Sequence, residues 1–241
     1  MGVTRKIRKQ ISKLPEGTTF KYAQLTIEPQ EFTAAAKAIE RMIDKGIIKR
    51  LSTGVFYKPK KTVFGKLMPN EEEVLKPYLY KNGKRIAYIT GTSLYNRLGL
   101  TTQIPTIIKI ASRDKRITVS NGTVKASSVK SYVSVTDSNF HLLELLDVLK
   151  DFKKIPDLDK SSGIKIISKK IKELNSKELK LLIKYGLAYP PRVRALLGAL
   201  LEDINIDDDL TTLKNSLNPL SEYEYGINKG QLPTIENWKI E

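Results

Sequence analysis

The sequence predicts an α+β fold in which short β-rich segments are held between helices. Two patterns and one charge gradient predict it. Before residue 140, apolar residues spaced three and four apart alternate with β-branched runs punctuated by Gly and Pro; after it, the helical spacing takes over. The gradient lies in 42 Lys and Arg set against 26 Asp and Glu. Residues 1–70 hold 15 basic and 5 acidic side chains (+10), residues 71–160 hold 15 and 10 (+5), and residues 161–241 hold 12 and 11 (+1). A basic first third on a nearly neutral last third points to a polyanionic partner for the N-terminus, or else to a solubility surface.

Composition also excludes. With no cysteine, disulfides, zinc ribbons, thiol catalysis and iron–sulfur clusters are ruled out together. One histidine, His141, argues against histidine metal sites and catalytic triads. No apolar run approaches the roughly 20 residues of a membrane span, and the basic start (Arg5, Lys6, Arg8, Lys9) does not read as a signal peptide. A cytoplasmic protein with no membrane partner is expected. No acid pair or nucleophile–base arrangement stands out, so neither an enzyme nor a cofactor or metal is expected.

Element by element, Thr4–Leu14 places Ile7, Ile11 and Leu14 on one helical face. Pro15-Glu16-Gly17 ends that helix, and Phe20–Leu25 is ambiguous. Pro29 opens a second helix running to about Lys45, with Ala35, Ala38, Ile39, Met42 and Ile43 inward and Gly46 as its left-handed stop. Residues 47–51 and 55–58 flank Ser52-Thr53-Gly54 as a hairpin that Pro59 stops. Helix, short element, helix and basic hairpin is the order of a winged helix-turn-helix, assigned to residues 1–69. Thr33 and Ala34 would let the second helix approach a major groove, and Lys37, Arg41 and Lys45 would reach phosphates or base edges. Lys49, Arg50, Lys58, Lys60 and Lys61 would set the wing against the backbone. The partner would be double-stranded DNA; the same charges also fit a solvated face of a protein-interaction module.

Residues 70–241 form the second expected domain. Arg85–Thr90 reads as a strand, Gly91-Thr92-Ser93 starts a short helix, and Gly99 closes it with Leu100 packing back. Residues 106–111, 116–120, 123–126 and 132–136 read as an antiparallel β-meander, with Asn121-Gly122 turning one hairpin. Helices follow at Phe140–Phe152, after the Asn175/Glu178 capping box up to Gly186, and at Arg192–Ile204. The tail from about Asn218 is expected to lie across the surface, anchored by its aromatics.

Three stretches carry a family resemblance: TAAAKAIERMIDKGIIKRLSTGVFYK (33–58), YITGTSLYNRLGLTTQIP (88–105) and YPPRVRALLGALLE (189–202). They resemble the AbiEi-type antitoxins of type IV toxin–antitoxin and abortive-infection (phage-defence) systems. The resemblance implies a transcription repressor that binds inverted repeats in its own promoter. It also implies neutralisation of a co-encoded nucleotidyltransferase toxin, which need not involve a stable complex. The alternative is a stand-alone winged-helix regulator whose second domain senses a ligand or protein.

The resemblance makes Tyr88, Ser93, Arg97 and Gln103 candidates for a functional surface of the antitoxin domain. Gly91-Thr92-Ser93 before a helix could cradle a phosphate, but it lacks the Gly-Lys-Ser/Thr ending of a P-loop and reads more simply as a tight turn. Arg192 and Arg194 oppose the dipole at a helix start; they would meet an acidic partner or RNA, or else pair with Glu202 or Asp203. Asp207-Asp208-Asp209 lacks spaced metal ligands and reads as an exposed cap. His141 reads as a cap or half-buried packing residue.

Overall fold

The computed structural model describes residues 2–62, 65–121, 124–206 and 210–241. It is an α+β protein of two compact units: Met1–Arg85 with Val119–Lys125, and Ile86–Thr118 with Ala126–Glu241. The boundary differs from the one expected after residue 69.

In the first unit, α1 (Val3–Ser12) buries Ile7 and Ile11, one turn apart, against α2 (Phe32–Asp44). Pro29 opens a 3₁₀ turn ahead of α2, and Ala35, Ala38, Ile39 and Met42 form its inner stripe. Gly46, at φ +62°, ends α2: its N–H donates to the Ile43 carbonyl, and the Ile47 N–H donates to Met42 at 2.9 Å. That is the Schellman pattern, whose left-handed position glycine adopts without a Cβ penalty. β1 (Thr19–Lys21) and a 3₁₀ turn (Tyr22–Gln24) occupy the ambiguous segment. β2 (Lys49–Ser52) and β3 (Val55–Tyr57) form the expected hairpin around Thr53-Gly54, and β1 pairs with the other side of β3, giving the antiparallel order β1-β3-β2.

Pro59 does not end the β structure. A further hairpin, β4 (Lys60–Thr62) and β5 (Gly65–Leu67), follows it. α3 (Glu71–Leu79) then begins on the Asn70 side chain, which accepts from the Glu73 N–H at 2.9 Å. This helix is what moves the boundary. Thr19 Oγ1 donates to the Glu73 carbonyl at 2.6 Å, Ser52 and Tyr78 share a hydrogen bond at 2.8 Å, and Val74 is buried with Leu51, Val55 and Tyr57. A small hairpin of β6 (Tyr80–Lys81) and β7 (Lys84–Arg85) completes the segment.

The second unit begins with β8 (Ala87–Thr90) and α4 (Thr92–Arg97), closed as expected by Gly99 with Leu100 buried behind it. β9 (Ile108–Ser112) pairs antiparallel to β8. The meander then fails. β10 (Val119–Asn121) leads to β11 (Val124–Lys130), beside which it lies, with Gly122 of the expected turn outside the described residues. β11 runs parallel to β9, Ala126 opposite Ile108 and Lys130 opposite Ser112. A parallel partner requires a crossover rather than a hairpin, and the crossover carries residues 119–125, which cluster with the first unit. Residues 132–136 form no strand; the Asn139 side chain fixes them by accepting from the Thr136 N–H and donating to the Ser134 carbonyl.

Five helices follow: α5 (Phe140–Asp151), α6 (Lys160–Lys172), α7 (Ser176–Gly186), α8 (Pro191–Asp203) and the short α9 (Thr211–Asn215). Sequence reasoning did not anticipate α6. The Asn175/Glu178 capping box of α7 is present in both directions. α8 is buried along nearly its whole length. The tail is not a surface strap. Tyr225, Leu232, Ile235, Trp238 and Ile240 belong to the core, and the Trp238 ring lies on Gly198, where an added Cβ would meet the ring at 2.1 Å. Glycine is the one residue that lets the Trp238 ring lie against the α8 backbone there.

Candidate nucleic-acid interface

α2 exposes Thr33, Ala34, Lys37, Glu40, Arg41, Asp44 and Lys45. At 3.6 residues per turn these residues share one exposed face, on which Lys37 and Arg41 are interleaved with Glu40 and Asp44. Lys37 and Arg41 stand one turn apart, and Arg41 Nε donates to the Lys37 carbonyl at 3.2 Å. Lys37, Lys45, Lys49 and Lys60 have no ion pair among the described residues, so their charge is available to a ligand. At the head of α2, the half-exposed Phe32 ring packs on Tyr22, centroids 5.1 Å apart. Small residues, an aromatic shoulder and a row of unpaired cations can approach and neutralise a polyanion.

The hairpin contributes unevenly. Lys49 and Arg50 are exposed on β2, with the Arg50 guanidinium 5.9 Å from the Phe56 ring centroid. Lys60 is exposed on β4, while the side chain of Lys61 lies outside those described. Lys58 does not belong with them. Its Nζ donates to the Ser12 carbonyl at 3.0 Å and the Leu14 carbonyl at 2.7 Å. Those are the orphan carbonyls at the C-terminal end of α1, where a cation also complements the helix dipole. Lys58 is therefore a cap of α1 rather than part of a ligand-facing charge.

The candidates of the second unit separate in the same manner. Tyr88 is fully buried, which removes it from any surface. Its hydroxyl donates to Asp147 Oδ2 at 2.9 Å; Thr90 Oγ1 donates to the same oxygen at 2.7 Å, and the Tyr189 hydroxyl donates to Oδ1 at 3.3 Å. Lys150 Nζ completes the cluster, 2.9 Å from Oδ1. Tyr95 makes the parallel bond to Asp151 at 2.7 Å. Burial, and then the neighbouring Asp147 carboxylate, hold the hydroxyls of Tyr88 and Tyr189 above the usual phenol range; burial and Asp151 do the same for Tyr95. Sequence reasoning missed Asp147. Its signal was an acid inside the apolar run Leu142–Leu149, at a position the helical stripe turns inward.

Arg97 is exposed and pairs with Glu144 at 2.6 Å, and Gln103 Nε2 donates to Asp157 at 3.0 Å. Ser93 is half-buried with no hydrogen bond among the described residues. Arg194 donates to the Ser216 carbonyl at 2.8 Å; among the described residues neither it nor Arg192 forms an ion pair with Glu202 or Asp203, and Glu202 accepts instead from Trp238 Nε1 and Asn237. His141 Nε2 lies 3.1 Å from Glu178 Oε1, tying α5 to the cap of α7. Asp207-Asp208-Asp209 lies outside the described residues. Among the described residues no three His, Cys, Asp or Glu side chains cluster as a metal site, and no helix is long and apolar enough to cross a membrane.

Residues 6–142, more than half of the chain, match the model of a family of unknown function, DUF6088. No curated protein matches the chain. Among solved structures, the chain is similar to the crystal structure of the RV2827C protein from Mycobacterium tuberculosis, with a TM-score of 0.55 at 12% identity. The likeness covers 99% of this chain and 90% of that one, and at such identity it speaks of fold alone.

Proposed function

We propose, on the premise that this chain belongs to the DUF6088 family, that it is a DNA-binding autorepressor and antitoxin. In this reading residues 1–69 hold a winged helix-turn-helix, α2 enters the major groove and β2–β3 is the wing. One observation carries it: Ala34, Lys37, Arg41 and Lys45 are exposed, the three cations with no ion pair among the described residues, and the antiparallel β2–β3 hairpin follows directly with Lys49 and Arg50. The element order α1, β1, short turn, α2, β2, β3 and the sheet order β1-β3-β2 support the same reading. A groove about 12 Å wide admits one helix, and Thr33 and Ala34 keep its leading turn slim. Neutralisation of a co-encoded nucleotidyltransferase toxin rests on the AbiEi resemblance and is assigned to the second unit.

Titration of the full chain against its own upstream DNA at several salt concentrations tests the first half. About six neutralised phosphates give a log–log slope near −5. Lys37→Ala with Arg41→Ala removes preference for the operator, whereas Lys49→Ala weakens all DNA alike. A flat salt response overturns the DNA reading. Inducing the adjacent reading frame with and without this chain tests the second half. Growth arrest that the chain relieves supports an antitoxin, and a harmless neighbour leaves a stand-alone regulator.

A further inference from the structure

The crossover that makes β9 and β11 parallel has a chemical consequence in the second unit. Because Ser112 and Lys130 are register partners, both strands end at the same edge of the sheet. Along the shared face the side chains change from apolar and buried (Ile108, Ile110, Ala126) to polar and open (Ser128, Lys130). The carboxyl ends of adjacent parallel strands are where open sheets hold ligands. A cavity of about 370 Å³ lies at that edge, between the loop after β9 and the end of β11.

Its lining carries four cations, Arg113, Lys115, Arg116 and Lys130, against one acid, Asp114. Ser112 forms a wall, its hydroxyl donating to the Ile86 carbonyl at 2.9 Å. Arg113 is held in place from behind, donating to the Tyr132 carbonyl at 3.0 Å, so its charge is fixed at the cavity without being neutralised. Lys115, Arg116 and Lys130 have no ion pair, and the Ser128 hydroxyl no side-chain hydrogen bond, among the described residues. Two ammonium groups, two guanidinium groups and a hydroxyl around one site match the negative charge and the acceptor oxygens of a phosphate.

We propose that this cavity binds a phosphate group, carried either by a free nucleotide or by a nucleic-acid strand. Arg113 and Arg116 would grip its oxygens, Lys115 and Lys130 would neutralise its charge, and Ser128 would donate from the sheet. The site is separate from α2 and stands whether or not α2 binds DNA.

The test uses the full chain carrying Lys37→Ala and Arg41→Ala, which silences the α2 face. This parent is titrated calorimetrically with adenosine 5′-monophosphate and with a short single-stranded DNA oligonucleotide. It is then compared with the same chain also carrying Arg116→Ala and Lys130→Ala. Loss of two charge-assisted contacts lowers affinity about tenfold or more. A fall for the mononucleotide assigns the site to free nucleotides; a fall for the oligonucleotide alone assigns it to a strand backbone. Asp114→Asn, which removes the one acid without touching the cations, tightens the affected probe and guards against a misfolded variant. Equal affinities in parent and variant, or no binding of either probe, overturn the proposal.

Discussion

Polar side chains do opposite things in the two units. On α2 and β2 they stand outside a small apolar core, and Lys37, Lys45 and Lys49 are left without an acid among the described residues. In the second unit they are drawn inward: Tyr88 and Thr90 from one stretch, Tyr189 from another, and Lys150 close on the single carboxylate of Asp147. Two of the stretches that carry the AbiEi resemblance, 88–105 and 189–202, therefore meet on one buried carboxylate. A recurring motif can record a folding requirement as readily as a surface, and only burial separates the two.

Removing Asp147 strains that comparison most. Asp147→Ala leaves three buried hydroxyls and a nearly buried ammonium without their acceptor, and costs about 3–5 kcal/mol of stability, read as the midpoint of chemical denaturation. Asp147→Asn keeps the shape but not the charge and is also destabilised, because Lys150 then keeps only the more distant Asp151 carboxylate, 3.9 Å away. A loss below about 1 kcal/mol would mean that the cluster is loosely made and that Tyr88 is free for another role.

Alkaline titration probes the same cluster without mutation. Tyr88, Tyr95, Tyr189 and Tyr225 have pKa values raised chiefly by burial, so the native state keeps protons that the unfolded chain gives up. Their contribution is fully present below the unfolded phenol pKa of about 10 and is lost as pH rises toward the folded values. Phenolate absorbance is expected in two stages, the exposed tyrosines first and these four, with the buried Tyr57, only with unfolding. A single stage at the ordinary pKa would place those hydroxyls in water.

Much of this was legible in the sequence where the signal is local. Gly46, the Asn175/Glu178 box and the apolar stripe of α8 each name their element within a few residues. The signals that failed depend on partners far along the chain. Asp159 capping α6 through the Ser162 N–H was present in the sequence, but the stripe Ile164, Ile167 and Ile171 is diluted by lysines. β11 looks like half of a hairpin until its register against β9 is known, and Trp238 looks like a surface anchor until Gly198 opens a place for it. Lys58 is the sharpest case in the candidate interface, since a lysine after a basic hairpin reads as ligand-facing and only its bonds to Ser12 and Leu14 show otherwise.

That case also yields the smallest and most discriminating contrast. Lys58→Ala removes two bonds to the end of α1 and should cost about 1 kcal/mol of stability, with the salt slope of DNA binding unchanged. Lys49→Ala, on an exposed side chain with no partner among the described residues, should leave stability within about 0.5 kcal/mol while reducing that slope by about one. Both substitutions delete one positive charge from the same unit, so composition treats them as equal. If each instead changes the slope by the same amount, the capping bonds do not hold Lys58 away from the polyanion, and the division between structural and ligand-facing charge in this unit has to be redrawn.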